Sequence, residues 1–223
     1  MMEEIKFSAV APSEFDSSTR IDTIAGVVLA AGTSSRFGDT NKLLADLDGE
    51  PVITQSVQPL IDSEVTPVYV VIGNEHTHLR EAVESIEARP IVNESYAQGQ
   101  ATSVRTGIEA ARQYACADAA VISLGDMPFV KSSTIDQLVA AYRSNVGDIV
   151  AAGYQEQRGN PVLFDASCFG ALSTLSGDTG ARHLIRESDD AVLIETGDPG
   201  VVQDIDTPAD LHRLTRMESD PCR

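Results

Sequence analysis

Apolar residues along the first two thirds of the chain follow two alternating patterns. Continuous apolar runs are typical of strands buried on both faces of a parallel sheet, and they cover residues 24–30, 67–73 and 119–125. Apolar residues at three- and four-residue spacing predict amphipathic helices, at 51–61, 78–86, 101–114 and 133–142. Strands that alternate with helices form βαβ units, so the pattern predicts an α/β fold around a mostly parallel, twisted sheet.

The apolar runs become shorter and lie closer together after residue 148. Two apolar runs, 149–154 and 161–164, flank a polar segment at 157–160. This arrangement predicts a small antiparallel insertion with its turn at 157–160. The remaining apolar runs predict short strands at 90–93, 192–195 and 201–205, and the helical spacing predicts helices at 179–186 and 208–216.

Domain boundaries follow from where these patterns begin and end. Residues 1–21 are polar and irregular, so we expect a flexible N-terminal extension. The organised part then forms one domain over 22–217, and 218–223 is a short C-terminal tail. The longest strongly apolar run, 24–31, is far too short to span a bilayer, and the acidic N-terminus does not resemble a secretory signal.

Charge excludes one class of partner. The chain has 34 Asp and Glu against 16 Lys and Arg, a net charge of −18, and only three of the cations are lysines. Nucleic acids and anionic membranes require clustered cations, so we expect neither as a partner. High salt screens self-repulsion, and the acidity together with the few lysines therefore favours a halophilic protein. Three widely spaced cysteines form no zinc pattern, which is typical of reduced thiols in the cytoplasm.

A loop of small residues, 29–42, directly follows the first buried strand. Small residues allow backbone N–H groups to approach a phosphate or a base, and Arg36 and Lys42 add two cations that suit a triphosphate. Gly38 is not followed by the Lys-Ser/Thr of a P-loop, and Gly32 and Gly38 do not have the spacing of a dinucleotide fingerprint. A surface loop with two incidental cations is the alternative to a phosphate-binding loop.

Acidic residues are predicted at the same edge of the sheet. Asp126 follows the strand 119–125, and ligands of parallel sheets bind beyond the carboxyl ends of the strands. Alternation along 201–205 places Asp204 and Asp206 on one face, with Asp206 at the strand end. Mg²⁺ takes one or two carboxylates together with substrate phosphates, so Asp126 and Asp206 are candidates for a shared metal site. A turn cap before a proline is the alternative role for Asp126.

Five motifs occur in an order that resembles a known family. They are Leu-Ala-Ala-Gly-Thr-Ser-Ser-Arg-Phe-Gly followed by Asn-Lys-Leu-Leu within 29–44, Leu-Gly-Asp-Met-Pro at 124–128, Arg-Gly-Asn-Pro-Val-Leu-Phe at 158–164, Gly-Asp-Thr-Gly-Ala-Arg at 177–182 and Asp-Ile-Asp-Thr-Pro at 204–208. Together they resemble the MobA-like nucleotidyltransferases, and most of all the molybdenum cofactor cytidylyltransferases. The resemblance implies a three-layer, Rossmann-like nucleotidyltransferase fold. It also implies transfer of CMP from CTP onto the phosphate of molybdopterin, with release of pyrophosphate.

The resemblance also implies roles for individual residues. The nucleotide would be bound by Leu29, Ala30, Ala31, Gly32, Arg36, Lys42, Gly73, Gln98 and Ser103, with Asn74 beside them. The segment 98–103 as a whole resembles the family's second nucleotide-facing loop. The acceptor would be bound by Arg158, Gly159, Asn160, Asp178, Gly180 and Arg182. Arg36, Lys42 and Asp126 are the expected catalytic residues, and Asp126 and Asp206 would hold Mg²⁺ as the cofactor.

Alternatives stay open at this point. Guanylyl-transferring relatives usually have glycine where this chain has Ala31, which favours cytosine, yet GTP-dependent transfer to the same cofactor stays open. Cytidylyl transfer to another small phosphorylated acceptor is a second alternative. A non-catalytic protein that binds a nucleotide or cofactor belongs to a different class, and a nicotinamide-dependent oxidoreductase is disfavoured by the missing GxGxxG. We expect a monomer that transiently contacts a receiving molybdoenzyme or its chaperone.

Overall fold

A mostly parallel sheet lies at the centre of the computed structural model, which describes residues 8–10, 22–32, 34, 37, 41–73, 76–178 and 180–218. The strands in these ranges are β1 (Ser8–Val10), β2 (Ile24–Ala30), β3 (Asp46–Leu47), β4 (Glu50–Pro51), β5 (Val68–Ile72), β6 (Arg89–Val92), β7 (Ala119–Leu124), β8 (Ile149–Tyr154), β9 (Gln157–Asp165) and β10 (Ala191–Glu195). Eight of them form one sheet in the order β1-β10-β8-β9-β7-β2-β5-β6, and β3 and β4 form a small antiparallel pair. The predicted α/β class is confirmed.

Helices cover both faces of the sheet and create three layers. They are α1 (Val52–Ile61), α2 (His76–Glu84), α3 (Gln100–Ala115), α4 (Ser132–Arg143), α5 (Phe169–Ser173), α6 (Arg182–Glu187) and α7 (Pro208–Glu218). Because side chains alternate along a strand, Val28 of β2 packs into one core with α1, α2 and α4, whereas Val27 packs into the other core with α3, α5 and α6. None of the helices in the described ranges is long and apolar enough to cross a membrane.

The hairpin β8–β9 lies within the main sheet. Among the described strands of this sheet, β9 alone runs antiparallel to its neighbours, β7 and β8. The antiparallel pairing was predicted, but the turn was misplaced: it lies at Gln155 and Glu156, whose φ angles of 51° and 65° are left-handed, rather than at 157–160. Because β9 is reversed, its first residues lie at the edge where the parallel strands end.

The strand predicted at 201–205 is wrong. The chain forms a short 3-10 helix at Pro199–Val202, where Pro199 occupies the first turn and the Asp198 side chain accepts from the Gly200 N–H. This cap starts a helical turn where the alternating apolar residues indicated a strand. Beyond it, the Ile205 N–H donates to the carbonyl oxygen of Asp126 at 2.9 Å, which ties the segment to the end of β7.

One strand lies within the predicted N-terminal extension. Ser8–Val10 pairs in parallel with β10 at the edge of the sheet, so the expected irregular structure does not hold for these three residues. The rest of 1–21 lies outside the described residues. The boundaries of the domain at 22–217 and of the tail at 218–223 stay predictions.

Candidate active site

Lys42 joins two carboxylates at the carboxyl ends of the strands. Asp126 follows β7 directly, and Asp206 ends the segment after the last 3-10 helix. Lys42 opens a 3-10 turn that Asn41 caps, because the Asn41 Oδ1 accepts from the Leu43 N–H. The Lys42 Nζ donates to the Asp126 Oδ2 at 2.6 Å and to the Asp206 Oδ1 at 2.9 Å. The lysine of the first loop and the two predicted metal ligands therefore meet in one cluster.

Asp204 adds a third carboxylate to this cluster. One carboxylate oxygen each from Asp126, Asp204 and Asp206 lies within 4.8 Å of the other two. Burial raises the pKa of the Asp204 carboxyl, and the neighbouring Asp126 and Asp206 raise it further. Burial lowers the pKa of Lys42, yet the two carboxylates outweigh it, so that this pKa lies above its usual value. Three carboxylates and one ammonium leave a local charge of about −2, which favours a second cation.

The donor set fits a divalent cation. The Asp126 Oδ1 is buried and has no hydrogen-bond partner among the described residues. A buried carboxylate oxygen without a partner is costly, and a metal ion beside it removes that cost. Ligands that are all carboxylate oxygens suit Mg²⁺ or Mn²⁺ rather than a softer metal. Asp126, Asp204 and Asp206 could therefore hold a hard divalent cation.

A cavity of about 430 Å³ opens beside this cluster, between the first loop and the start of α3. The predicted site residues that line it are Leu29, Ala30, Ala31, Gly32, Lys42, Ser103, Asp126, Asp178 and Asp206. Its other lining residues are Ser34, Leu43, Tyr96, Ala97, Gly99, Gln100 and Leu124, of which Gly99 and Gln100 belong to the predicted nucleotide-facing segment 98–103. The volume is within the range of small-molecule sites.

Two predicted nucleotide-binding residues lie beside this cavity without lining it. A Cβ on Gly73 would lie 2.6 Å from the Tyr96 Cβ and 2.9 Å from the Ala31 Cβ, so glycine allows the end of β5 to pack beneath the cavity wall. Gln98 is exposed and lines neither cavity, whereas Gln100, two residues on, lines both. Arg36 and Asn74 lie outside the described residues.

A second, smaller cavity of about 60 Å³ adjoins the first, with which it shares Leu29, Gln100 and Leu124. Arg158 and Asn160 reach it from the start of β9 and Arg182 reaches it from α6, over an apolar wall that includes Phe164 and Ile185. Neither guanidinium forms an ion pair within the part of the chain that the structure describes.

The two arginines of the second cavity affect one another. Burial lowers the pKa of Arg158, and the charge of Arg182 lowers it further. Two neighbouring cations that form no ion pair with a described carboxylate create a locally positive surface, which favours an anion.

The other two predicted acceptor residues shape the second cavity from behind. A Cβ on Gly159 would clash with the Val201 carbonyl oxygen, so this glycine allows β9 to pack closely on the 3-10 helix. Gly180 lies beside the Gln100 side chain. Sequence analysis had placed Asp204 on the face of Asp206 without giving it a role. Gln100 lies within the predicted nucleotide-facing segment 98–103 but was not itself named, and no motif singled out Tyr96.

The comparisons with known proteins decide the family. The MobA-like NTP transferase domain matches residues 26–192 of this chain. The chain belongs to the MobA-like NTP transferase family. It is 31% identical over 203 residues to the purine catabolism protein PucB of Bacillus subtilis, which covers 87% of this chain and 97% of PucB. It is therefore a nucleotidyltransferase of the MobA-like family, which confirms the resemblance stated from the motifs.

Other members of the family have different names. The nicotine blue oxidoreductase of Paenarthrobacter nicotinovorans is 28% identical, over 88% of this chain and 98% of that protein. The probable molybdenum cofactor guanylyltransferase of Natronomonas pharaonis is 25% identical, over 84% and 95%. Among solved structures, Rv0371c from Mycobacterium tuberculosis superposes with a TM-score of 0.76 at 28% identity, over 87% of this chain and 98% of that one. Its complex with manganese has a TM-score of 0.73 at 26% identity, over the same shares.

Proposed function

We propose that the protein transfers CMP from CTP onto the phosphate of a molybdopterin-type acceptor and releases pyrophosphate. The observation that carries this proposal is the pair of adjoining cavities. The larger cavity has Lys42 and the acidic cluster at one side and is large enough for a nucleotide. The smaller cavity presents Arg158 and Arg182, which suit the phosphate of a second substrate.

The choice of cytosine rests on Ala31. Its methyl group lines the larger cavity, next to Tyr96 and to the end of β5 at Gly73. A methyl group here reduces the space for the base, and the smaller pyrimidine suits the reduced space better than a purine. Gln100 lines both cavities and would contact the nucleotide and the acceptor, whereas Gln98, the predicted nucleotide-binding residue, lines neither.

The chemistry is an in-line displacement at the α-phosphorus of CTP. A phosphate oxygen of the acceptor forms the new bond, the bond from the α-phosphorus to the bridging oxygen breaks, and pyrophosphate leaves with the electron pair. The attacking oxygen is already ionised, so no general base is required. Lys42 neutralises phosphate oxygens, as we also expect of Arg36, and Arg158 and Arg182 orient the acceptor. When bound by Asp126, Asp204 and Asp206, Mg²⁺ supplies further charge neutralisation at the phosphates.

The test combines each nucleoside triphosphate with molybdopterin-bearing cofactor and Mg²⁺. Among the four nucleoside triphosphates, we expect only CTP to give pyrophosphate release and a dinucleotide product, which mass spectrometry identifies. A product with GTP alone would replace cytidylyl by guanylyl transfer. Turnover of CTP with another phosphorylated acceptor, and none with molybdopterin, would replace the acceptor. Nucleotide binding without any product would indicate the non-catalytic alternative.

A matched pair of variants on α6 tests the acceptor site. Arg182 lines the smaller cavity, and Arg186 lies one turn later on the same helix, exposed and outside both cavities. We expect Arg182→Gln to raise the KM for the acceptor about tenfold or more without changing the KM for CTP. Arg186→Gln should leave both values unchanged. Equal effects of the two variants would contradict the acceptor assignment.

Location and assembly complete the proposal. We expect a cytoplasmic monomer that contacts a receiving molybdoenzyme or its chaperone only transiently. Light scattering coupled to size-exclusion chromatography tests the monomer directly, since a stable dimer would double the measured mass.

A further inference from the structure

A buried asparagine joins two hydroxyl groups at the start of α3. Asn93 follows β6 and is 3% exposed. Its Nδ2 donates to the Thr102 Oγ1 at 2.9 Å and to the Ser103 Oγ at 3.0 Å. Both hydroxyl residues lie in the first turn of α3 and are 5% exposed, but only Ser103 lines the larger cavity.

The orientation of this amide is fixed by a backbone group. The Asn93 Oδ1 accepts from the Ser95 N–H at 2.9 Å, and a backbone N–H can only donate. The oxygen must therefore face Ser95, which leaves the two N–H groups for the two hydroxyls. Each hydroxyl oxygen accepts one of these hydrogens and must direct its own hydrogen elsewhere.

The two hydroxyl hydrogens have different surroundings. Thr102 donates to the carbonyl oxygens of Gly99 at 2.8 Å and Ser95 at 3.1 Å. For the Ser103 hydrogen, the described residues offer no acceptor. Since Ser103 lines the cavity, its hydroxyl is set to donate to an acceptor atom of a bound ligand.

Through Asn93, Ser103 is tied to the β6 side of the sheet edge, whereas the acidic cluster lies at the end of β7. Asp126 follows β7, whereas Asn93 follows β6, and the sheet order β7-β2-β5-β6 separates these strands by three steps. Neighbouring strands lie about 4.8 Å apart, which gives roughly 14 Å across the edge of the sheet. With the phosphates beside Lys42, a nucleotide that spans this distance brings its base to the side of Ser103.

We propose that Asn93 is a positioning residue that fixes the Ser103 hydroxyl as a donor to the acceptor edge of cytosine. This inference rests on the proposed function, because it concerns the base of the same nucleotide. Cytosine offers O2 and N3 as adjacent acceptors on its pairing edge. Guanine offers the N1 and N2 donors at the corresponding positions, so the Ser103 hydrogen would face donors and be left without an acceptor.

The test measures the affinities of the intact protein for CTP and for GTP by calorimetry with Mg²⁺, so no acceptor substrate is required. We expect Asn93→Leu to lower the ratio of CTP to GTP affinity by about 3- to 10-fold, the usual effect of one hydrogen bond. Ser103→Ala should have the same effect, and the double variant should add nothing further, because Asn93 acts through Ser103. Thr102→Val is the matched control: it removes the other hydroxyl that Asn93 holds and should leave the ratio unchanged.

A second variant covers the case in which Asn93→Leu fails to fold. Asn93→Asp keeps the shape and still accepts from Ser95, but its carboxylate can only accept from Ser103. The serine hydrogen then turns away from the cavity, and the affinity ratio should again fall. A CTP-preferring wild type whose ratio does not change in the Asn93 variants, or falls equally in Thr102→Val, overturns this inference alone. A wild type that prefers GTP overturns both the inference and the proposed cytidylyl transfer.

Discussion

Asp126→Asn should separate activity from stability. The substitution keeps the side-chain shape and removes one negative charge from the acidic cluster. At an effective dielectric constant of about 20, the attraction to Lys42 across 2.6 Å is worth about 6 kcal/mol. The oxygens of Asp204 and Asp206 lie within 4.8 Å, where repulsion is worth at least about 3.5 kcal/mol for each, or about 7 kcal/mol together. Because the repulsion at least balances the attraction, we expect the free energy of unfolding not to fall by more than about 1 kcal/mol.

Turnover, in contrast, should fall by about a thousandfold in this variant. Loss of a ligand that stabilises charge in the transition state costs about 4 kcal/mol, which corresponds to three factors of ten. Pyrophosphate release measures turnover, urea unfolding measures stability, and Mn²⁺ titration followed by electron paramagnetic resonance measures metal affinity. Asp178→Asn is the control, since Asp178 lines the same cavity outside the acidic cluster and should keep the metal affinity. Turnover of Asp126→Asn within tenfold of the wild type would refute the role of Asp126.

Three further predictions concern packing, capping and salt. A Cβ on Gly107 would clash with Val27 and press on Val71, so Gly107→Ala should lower the free energy of unfolding by about 1–3 kcal/mol in urea; an unchanged value contradicts the close packing of α3. Asp210→Ala should cost about 1 kcal/mol at neutral pH, because Asp210 accepts from the Thr207 N–H and hydroxyl at the start of α7. The Thr207 hydroxyl lowers the pKa of Asp210 in the folded protein. The stability that Asp210 contributes is therefore complete above its unfolded-state pKa of about 3.9 and is lost as the pH falls through its folded-state pKa. A stability difference between wild type and variant that persists in strong acid contradicts the cap. Activity and the unfolding midpoint should rise as KCl approaches molar concentrations, and a protein that is most stable in dilute buffer is not salt-adapted.

The central strands could be predicted because burial on both faces leaves a continuous apolar run. The predicted run 24–30 has the bounds of β2 itself. Ser8–Val10 could not be found in this way, since a three-residue edge strand carries no such run. The strand prediction for 201–205 was wrong for the opposite reason. The apolar residues there alternate as in a strand, but the cap at Asp198 starts a helical turn that includes Val201 and Val202.

The candidate site could be predicted where it depends on strand ends. Asp126 follows β7 directly, and Lys42 lies in the loop that follows β2. Asp206 joins them although the strand predicted before it is a 3-10 helix, because the Ile205 N–H ties this segment to Asp126 at the end of β7. Gln98 and Gln100 could not be told apart from the sequence, because their different positions depend on the backbone at Gly99, whose φ of 106° favours glycine. Asn93 gave no signal, since its role depends on hydrogen bonds to residues nine and ten positions away in another element.

The bridge at Lys42 has a consequence for the order in which the protein forms. Its two partners are 84 and 164 residues away along the chain. During synthesis, chains begin to fold from the N-terminal side, so β2, β5 and β7 are available long before Asp206 leaves the ribosome. Asp206, the last residue of the acidic cluster, is therefore synthesised after nearly all of the sheet. A nascent chain that stops short of residue 204 lacks two of the three clustered carboxylates, and so the acidic cluster is completed only once the fold is essentially finished.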